Sequence, residues 1–137
     1  MTVILCVDSG RGMTFFGRRQ STDSAVTERI VRFADGARLL IGVDSAPLFK
    51  GRKVNAVVSD DLLSDAMPGD VCFLERDDPA PYAAVADRLV IYRWNRNYPR
   101  DRKVGFFPYD EGMKLSRISD FSGNSHLRIT EEIWEKR

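Results

Sequence analysis

The stretch that most constrains the chain is its first: Thr2-Val3-Ile4-Leu5-Cys6-Val7-Asp8-Ser9-Gly10-Arg11-Gly12-Met13. Val3 to Val7 is an unbroken apolar run. A strand with one wet face alternates apolar and polar residues, whereas a strand covered on both faces does not. The run therefore belongs inside a sheet. It stops at Asp8-Ser9-Gly10, where the chain leaves the ladder and glycine permits positive φ. A central strand that opens into a glycine-rich loop is where open α/β sheets place ligands, beyond the carboxyl ends of their strands. Asp8 is read as fixing that loop by side-chain hydrogen bonds to nearby amides, not as a reacting group.

The rest of the chain alternates strands and helices for two-thirds of its length. Met13 to Thr22 reads as a loop carrying Phe15, Phe16 and two arginines. Asp23 to Ala34 reads as a helix, because Val26, Ile30 and Phe33 recur at i, i+4 and i+7, with Ser21, Thr22 or Asp23 able to cap its start. Strands are expected at Arg38–Val43, Lys53–Ser59, Val71–Leu74 and Arg88–Trp94, with short helices near Asp60–Ala66 and Asp78–Ala86. Val71–Leu74 is again unalternated and belongs inside the sheet. Asn95–Lys103 reads as a polar loop and Val104–Phe107 as an edge strand. His126–Glu135 reads as the final strand. Strands without helices between them predict an antiparallel hairpin at one edge. The expected fold class is therefore α/β: a single domain over residues 1–137 with a mixed, mostly parallel central sheet, helices on both faces and a C-terminal antiparallel hairpin.

Composition narrows the partners. The chain has 137 residues, formal net charge +1, 43% hydrophobic and 30% charged residues. That balance fits a packed core and argues against disorder, and no whole-protein field points to nucleic acid or to a membrane surface. No apolar stretch approaches the ~20 residues of a membrane span, and no basic region leads into a long apolar core, so a cytoplasmic place is expected. Cys6 and Cys72 sit in apolar runs and read as reduced, buried thiols, and two cysteines alone cannot build a structural zinc site. Oligomeric state is not legible.

Several segments together resemble the dihydrofolate reductase family. Cys6-Val7-Asp8 with Gly12-Met13 is similar to its first strand and substrate loop. Asp23, at the head of the first helix, matches the acidic residue that holds the pterin ring. Arg38–Gly42 resembles the strand ending in a Gly-Arg motif, and Leu48–Ser59 the Pro-Gly-Arg-x-Asn segment with its strand. Tyr82 with Ala86-Asp87-Arg88-Leu89 resembles the helix and strand behind the cofactor. Asp101 with Phe106-Phe107-Pro108, and Asn124–Lys136, resemble the closing hairpin. The resemblance implies the fold expected above. It also implies substrate-side roles for Cys6, Asp23, Arg52 and Arg93, with Asp23 as the candidate catalytic group. Asp serves equally as a helix cap, and Arg52 equally as a solvated turn residue instead of a clamp for a ligand carboxylate.

The departures bear on function. Where the family has consecutive glycines that admit the cofactor pyrophosphate, this chain reads Glu75-Arg76-Asp77-Asp78. Side chains crowd the approach and carboxylates repel phosphate. Gly42 is followed by Val43-Asp44 in place of a basic residue, and Arg93 stands where the family has a threonine. The resemblance therefore implies a degenerate member: a small-molecule domain for a pterin- or nucleotide-like ligand, with NADPH not expected and no other cofactor assigned. An active reductase with a rebuilt cofactor site is the alternative.

Two other chemistries have partial signals in the sequence. His126 is the sole histidine and has no Cys or His at ligand spacing, so no metal is expected. A Ser–His nucleophile pair lacks the Gly-x-Ser-x-Gly element that would announce it. The run from Arg93 to Lys103 interleaves Arg93, Trp94, Arg96, Tyr98, Arg100, Arg102 and Lys103, a pattern that can stack bases and pair phosphates, against the plainer reading of a solvated loop with Trp94 and Tyr98 folded back onto the core.

Overall fold

In the computed structural model, which describes residues 1–137, the strand β1 (Thr2–Val7) lies at the centre of a seven-stranded sheet. A hairpin of β2 (Gly12–Phe15) and β3 (Arg18–Arg19) leads to α1 (Ser24–Phe33) and β4 (Arg38–Ile41). After a 3-10 turn come α2 (Ala46–Phe49), β5 (Asn55–Val58), α3 (Leu62–Asp65), β6 (Val71–Leu74), α4 (Ala80–Ala83) and β7 (Arg88–Arg93). The chain closes with β8 (Arg102–Lys103), a second 3-10 turn, β9 (Met113–Phe121) and β10 (Ile129–Lys136). The large sheet runs β5-β4-β6-β1-β7-β10-β9, parallel up to β7 and antiparallel at β10 and β9. A small sheet, β3-β2-β8, sits apart from it.

The unalternated strands are interior, as their sequences predict. β1 pairs with β6 from Thr2↔Val71 to Leu5↔Leu74 and with β7 from Thr2↔Arg88 to Val7↔Arg93. Alternate residues of each strand face opposite sides, and both sides are covered. One core joins Val3, Leu5, Leu40, Cys72, Leu74, Leu89 and Ile91 to Leu62 of α3 and to Tyr82 and Ala83 of α4. The other joins Ile4, Leu39, Ile41, Val71, Phe73, Val90 and Tyr92 to Val26 and Ile30 of α1 and Phe49 of α2.

The last third differs from expectation in its pairing. Val104–Phe107 is not a strand. Only Arg102–Lys103 pairs, with β2, while Val104 and Phe106 turn into the first core as plugs on either side of Gly105. The hairpin partner of β10 is instead β9, a nine-residue edge strand whose positions from Lys114 to Arg117 are all exposed. With no face buried there, Lys114 to Arg117 carry no core pattern to read. The loop expected at Met13–Thr22 contains the β2–β3 hairpin, whose two-residue turn puts Phe16 at φ +52° and Gly17 at φ +69°. Both central residues of such a turn need positive φ, which glycine takes freely and phenylalanine does not.

Asp8 fixes the end of β1. Its carboxylate has no solvent exposure and accepts the amides of Gly10 (2.9 Å), Gly12 (2.7 Å) and Tyr98 (3.2 Å), the Gln20 side chain (3.0 Å) and the Arg100 guanidinium (3.2 Å). Burial alone would raise its pKa, but the Gly12, Tyr98, Gln20 and Gly10 donors outweigh it and hold the carboxyl below its ordinary value. At the other end of the sheet Asp70, 7% exposed, takes the Arg38 guanidinium at 2.6 and 3.1 Å, which lowers its pKa as well.

Asp8→Ala removes the acceptor that five donors share and is expected to destabilise the fold by about 3–5 kcal/mol, read as a shift in urea midpoint at constant m-value. These depressed carboxyl groups contribute to an acid limb. Their contribution is complete above the unfolded carboxylate value of about 4 and is lost as pH falls towards their lower folded values. Unfolding midpoints measured from pH 7 to pH 2 are expected to stay level to about pH 4.5 and then fall, less steeply in Asp8→Asn. A flat profile would contradict the assignment.

Candidate functional site

The carboxyl ends of β4, β5 and β6 face the small sheet across a cleft of about 810 Å³. The sheet side supplies Gly42–Ser45 after β4, Ser59 and Asp60 after β5, and Leu74–Asp77 after β6. The other side supplies Thr14 and Gly17 of the hairpin with Asp101, Arg102 and Lys103. A cleft in this position follows from the parallel topology, because crossovers leave the carboxyl ends of neighbouring strands open.

Most charges in the cleft are already paired. Glu75 accepts Arg19 from both Nε and Nη2 at 2.7 Å and Ser45 Oγ at 2.6 Å. This bidentate pair ties the hairpin down onto β6, and with a Glu75 side chain only 9% exposed it is shielded from solvent. Arg76 pairs with Asp44. Asp77 accepts the Tyr82 hydroxyl at 2.7 Å. Asp101 accepts the Phe16 amide at 2.8 Å and the Thr14 hydroxyl at 3.3 Å, closing the hairpin onto β8. Three exposed charged side chains of the cleft have no hydrogen bond or ion pair: Asp60 after β5, and Arg102 and Lys103 on β8. Arg102 and Lys103 are the groups that could receive an anion. No cluster of three or more His, Cys, Asp or Glu side chains is placed to hold a metal ion.

Of the residues singled out on substrate-side grounds, Asp23 caps α1. Its carboxylate accepts the Ala25 amide (2.9 Å), and it crosses to the β9–β10 loop to accept the Asn124 (3.0 Å) and Ser125 (2.9 Å) amides, Ser125 Oγ (3.1 Å) and His126 Nδ1 (3.0 Å). A Cβ at Gly123 would overlap this carboxylate, so the loop can come this close only with glycine there. Burial would raise the Asp23 pKa, but the Asn124, His126, Ser125 and Ala25 donors lower it far below the ordinary carboxylate value. Arg52 lies half-buried in the turn after α2 with its guanidinium in no hydrogen bond. Arg93 is held across β7 and β10 by Glu132, at 2.7 and 3.2 Å. Cys6 borders a space of only about 10 Å³ with Ser21, Glu75 and Trp94. Burial, then the nearby Glu75, push its thiol well above its ordinary pKa, so at neutral pH it stays protonated. The structure brings Asp23 and Arg52 to different loops, and neither lines the large cleft.

The basic-aromatic run is partly spent on the fold. Trp94 is buried and stacks on the His126 ring, with centroids 4.6 Å apart and planes at 22°. The Tyr98 hydroxyl meets His126 Nε2 at 2.9 Å. Arg100 is bound to Asp8 and Arg93 to Glu132, while Arg96 is exposed and unpaired. Sequence reasoning did not single out Ser21 or Asp60 as partners in a site. Ser21 Oγ lies 3.1 Å from His126 Nε2, 105 positions away in the chain. No local spacing announces such a contact.

No known family profile matches the chain, and no curated protein matches it in sequence. Solved structures do match it in shape. One is a dihydrofolate reductase from Enterococcus faecalis complexed with NADP(H) and RAB-propyl, similar at a TM-score of 0.69 with 9% sequence identity, over 99% of this chain and 95% of that one. At so low an identity the likeness is one of backbone, and over nearly its whole length the chain has the dihydrofolate reductase fold.

Proposed function

We propose that the chain is a small-molecule-binding protein built on the dihydrofolate reductase fold, a degenerate relative that takes a nucleotide-like ligand and does not run ordinary NADPH-dependent reduction. The observation that carries this reading is the charge left over in the large cleft. Asp60 on the sheet side and Arg102 and Lys103 on the small-sheet side remain uncommitted when every other charge there has found a partner. A ligand with a phosphate at one end and ring N–H or amino donors at the other satisfies both sides. Arg suits phosphate by its forked, two-pronged geometry, and a carboxylate accepts amino donors of a base.

The pterin half and the dinucleotide half fit less well. Asp23 has both carboxylate oxygens engaged by the protein's own donors, which leaves little capacity for a pterin's paired N–H groups. After β6 the backbone carries Glu75, Arg76 and Asp77 where a pyrophosphate needs bare amides and a positive field. Glu75 is fixed there by Arg19 and Ser45, so a pyrophosphate would have to displace an established bidentate pair. The residues present therefore do not fit the diphosphate of a dinucleotide cofactor.

Thermal-shift and calorimetric titration with nucleoside monophosphates, NADPH, dihydrofolate and pterin at low salt tests this. A nucleoside monophosphate at about 100 times its Kd is expected to add ~2.7 kcal/mol of stability. Arg102→Ala with Lys103→Ala should weaken that binding at least tenfold while leaving the unfolding midpoint of the free protein within a few tenths of a kcal/mol, since both are exposed and unpaired. Micromolar NADPH binding, or NADPH oxidation coupled to dihydrofolate, would overturn the reading and favour a reductase with a rebuilt cofactor site.

A further inference from the structure

The β2–β3 hairpin has two faces, and only one of them belongs to the large cleft. Arg19 reaches across to Glu75 on β6. Its neighbour Arg18, paired with Phe15 across the hairpin, therefore points to the other side. There Phe15, Phe16 and Arg18 line an open depression of about 480 Å³, completed by Tyr98 and Pro99 of the loop after β7. From this arrangement we infer that the outer face of the hairpin binds single-stranded nucleic acid, with bases stacked on Phe15 and Phe16 and phosphates held by Arg18 and Arg96.

The rings are the first part of the argument. Phe16 is 79% exposed and Phe15 37%, their centroids are 4.2 Å apart with planes at 38°, and neither belongs to an apolar core. Phe16 also sits at φ +52°, a left-handed conformation that disfavours any residue with a Cβ. The Asp101 carboxylate holds it there by accepting its amide at 2.8 Å. Neither packing nor turn chemistry accounts for phenylalanine at this place, since glycine would suit the turn better. A strained residue that its surroundings hold in place marks a functional surface. Two exposed rings side by side are what unstacked bases bind. Trp94 is turned in against the His126 ring, so the stacking rings are those of the hairpin.

Charge is the second part. The net charge of +1 conceals a local excess, because residues 9–22 and 93–105 hold eight of the chain's 21 Lys and Arg but only Asp101 among its 20 Asp and Glu. Arg19, Arg93 and Arg100 are spent on Glu75, Glu132 and Asp8. Arg18 beside the rings, and Arg96 on the loop that carries Tyr98 and Pro99, are exposed and unpaired. The occupant must bring negative charge and flat rings together. A single strand repeats both at every nucleotide. An acidic peptide repeats the charge without the rings, and a duplex keeps its base faces inside the stack. A concave surface also takes a splayed base better than it takes a bilayer.

Fluorescence anisotropy of a labelled oligothymidylate titrated with the intact chain tests the inference. Saturable binding is expected at low salt, weakening with a log–log slope of about −0.7 for each phosphate held, and Arg18→Ala should reduce the slope by about that amount. Phe16→Gly should weaken binding by about 5–150-fold, the loss of one stacked base. The unfolding midpoint of the free Phe16→Gly chain should stay level or rise, because glycine relieves the turn. A merely structural role for the ring would lower it. Binding of nucleoside monophosphates in the large cleft should be unchanged in Arg18→Ala, which separates this surface from the cleft. No saturable binding at low salt, binding indifferent to Phe16→Gly, or equal affinity for duplex DNA or polyglutamate would overturn the inference. So would a preference for anionic phospholipid vesicles over the oligonucleotide.

Discussion

An ionised carboxylate with no solvent contact stands where the central strand ends, and the loops at that end of the sheet depend on it. Asp8 can be buried only because five donors surround it. An unpaired buried charge costs far more than any single contact returns. The requirement works in both directions. It forces Gly10 and Gly12 to wrap the carboxylate, and it draws Gln20, Tyr98 and Arg100 in from distant parts of the chain. Once those residues are held, the β2–β3 hairpin and the loop after β7 have fixed positions.

A second buried carboxylate repeats the device on the far side of the same loops. Asp23 caps α1 and at the same time collects two amides, a hydroxyl and an imidazole from the β9–β10 loop. The pair Arg19–Glu75 adds a third tie, fastening the hairpin to β6. The carboxyl end of the sheet is thus a polar framework, while the two apolar cores lie above and below the strands. The large cleft opens between the sheet and the hairpin.

What the sequence by itself determined is the partition of residues between core and water. The unalternated runs Val3–Val7 and Val71–Leu74 require cover on both faces, and both strands are interior. The 3.6-residue stripe of Val26 and Ile30 and the capping chemistry of Asp23 define α1 within a residue. The alternation of strands and helices followed by bare strands gives a mostly parallel sheet with an antiparallel hairpin. Where that partition carries no signal, the reading failed. β9 is an edge strand exposed along its middle, and Val104 and Phe106 are apolar because they plug a core, not because they alternate along a strand.

Only the tertiary structure decided which polar groups meet. Asp23 reads from sequence equally as a cap or a ligand contact, and the fold turns its carboxylate onto a loop a hundred residues away. Trp94 and Tyr98 read either as a platform for bases or as aromatics folded back onto the core, and the fold sets both against His126. Ser21 carries no motif at all and becomes the neighbour of the one imidazole in the chain. The physical reason is the range of the information. Hydrophobic period and helix capping act between residues a few positions apart, so they can be read along the chain. A hydrogen bond between side chains is made or lost over a few tenths of an ångström, and at long sequence separation that distance is set by how every intervening element packs.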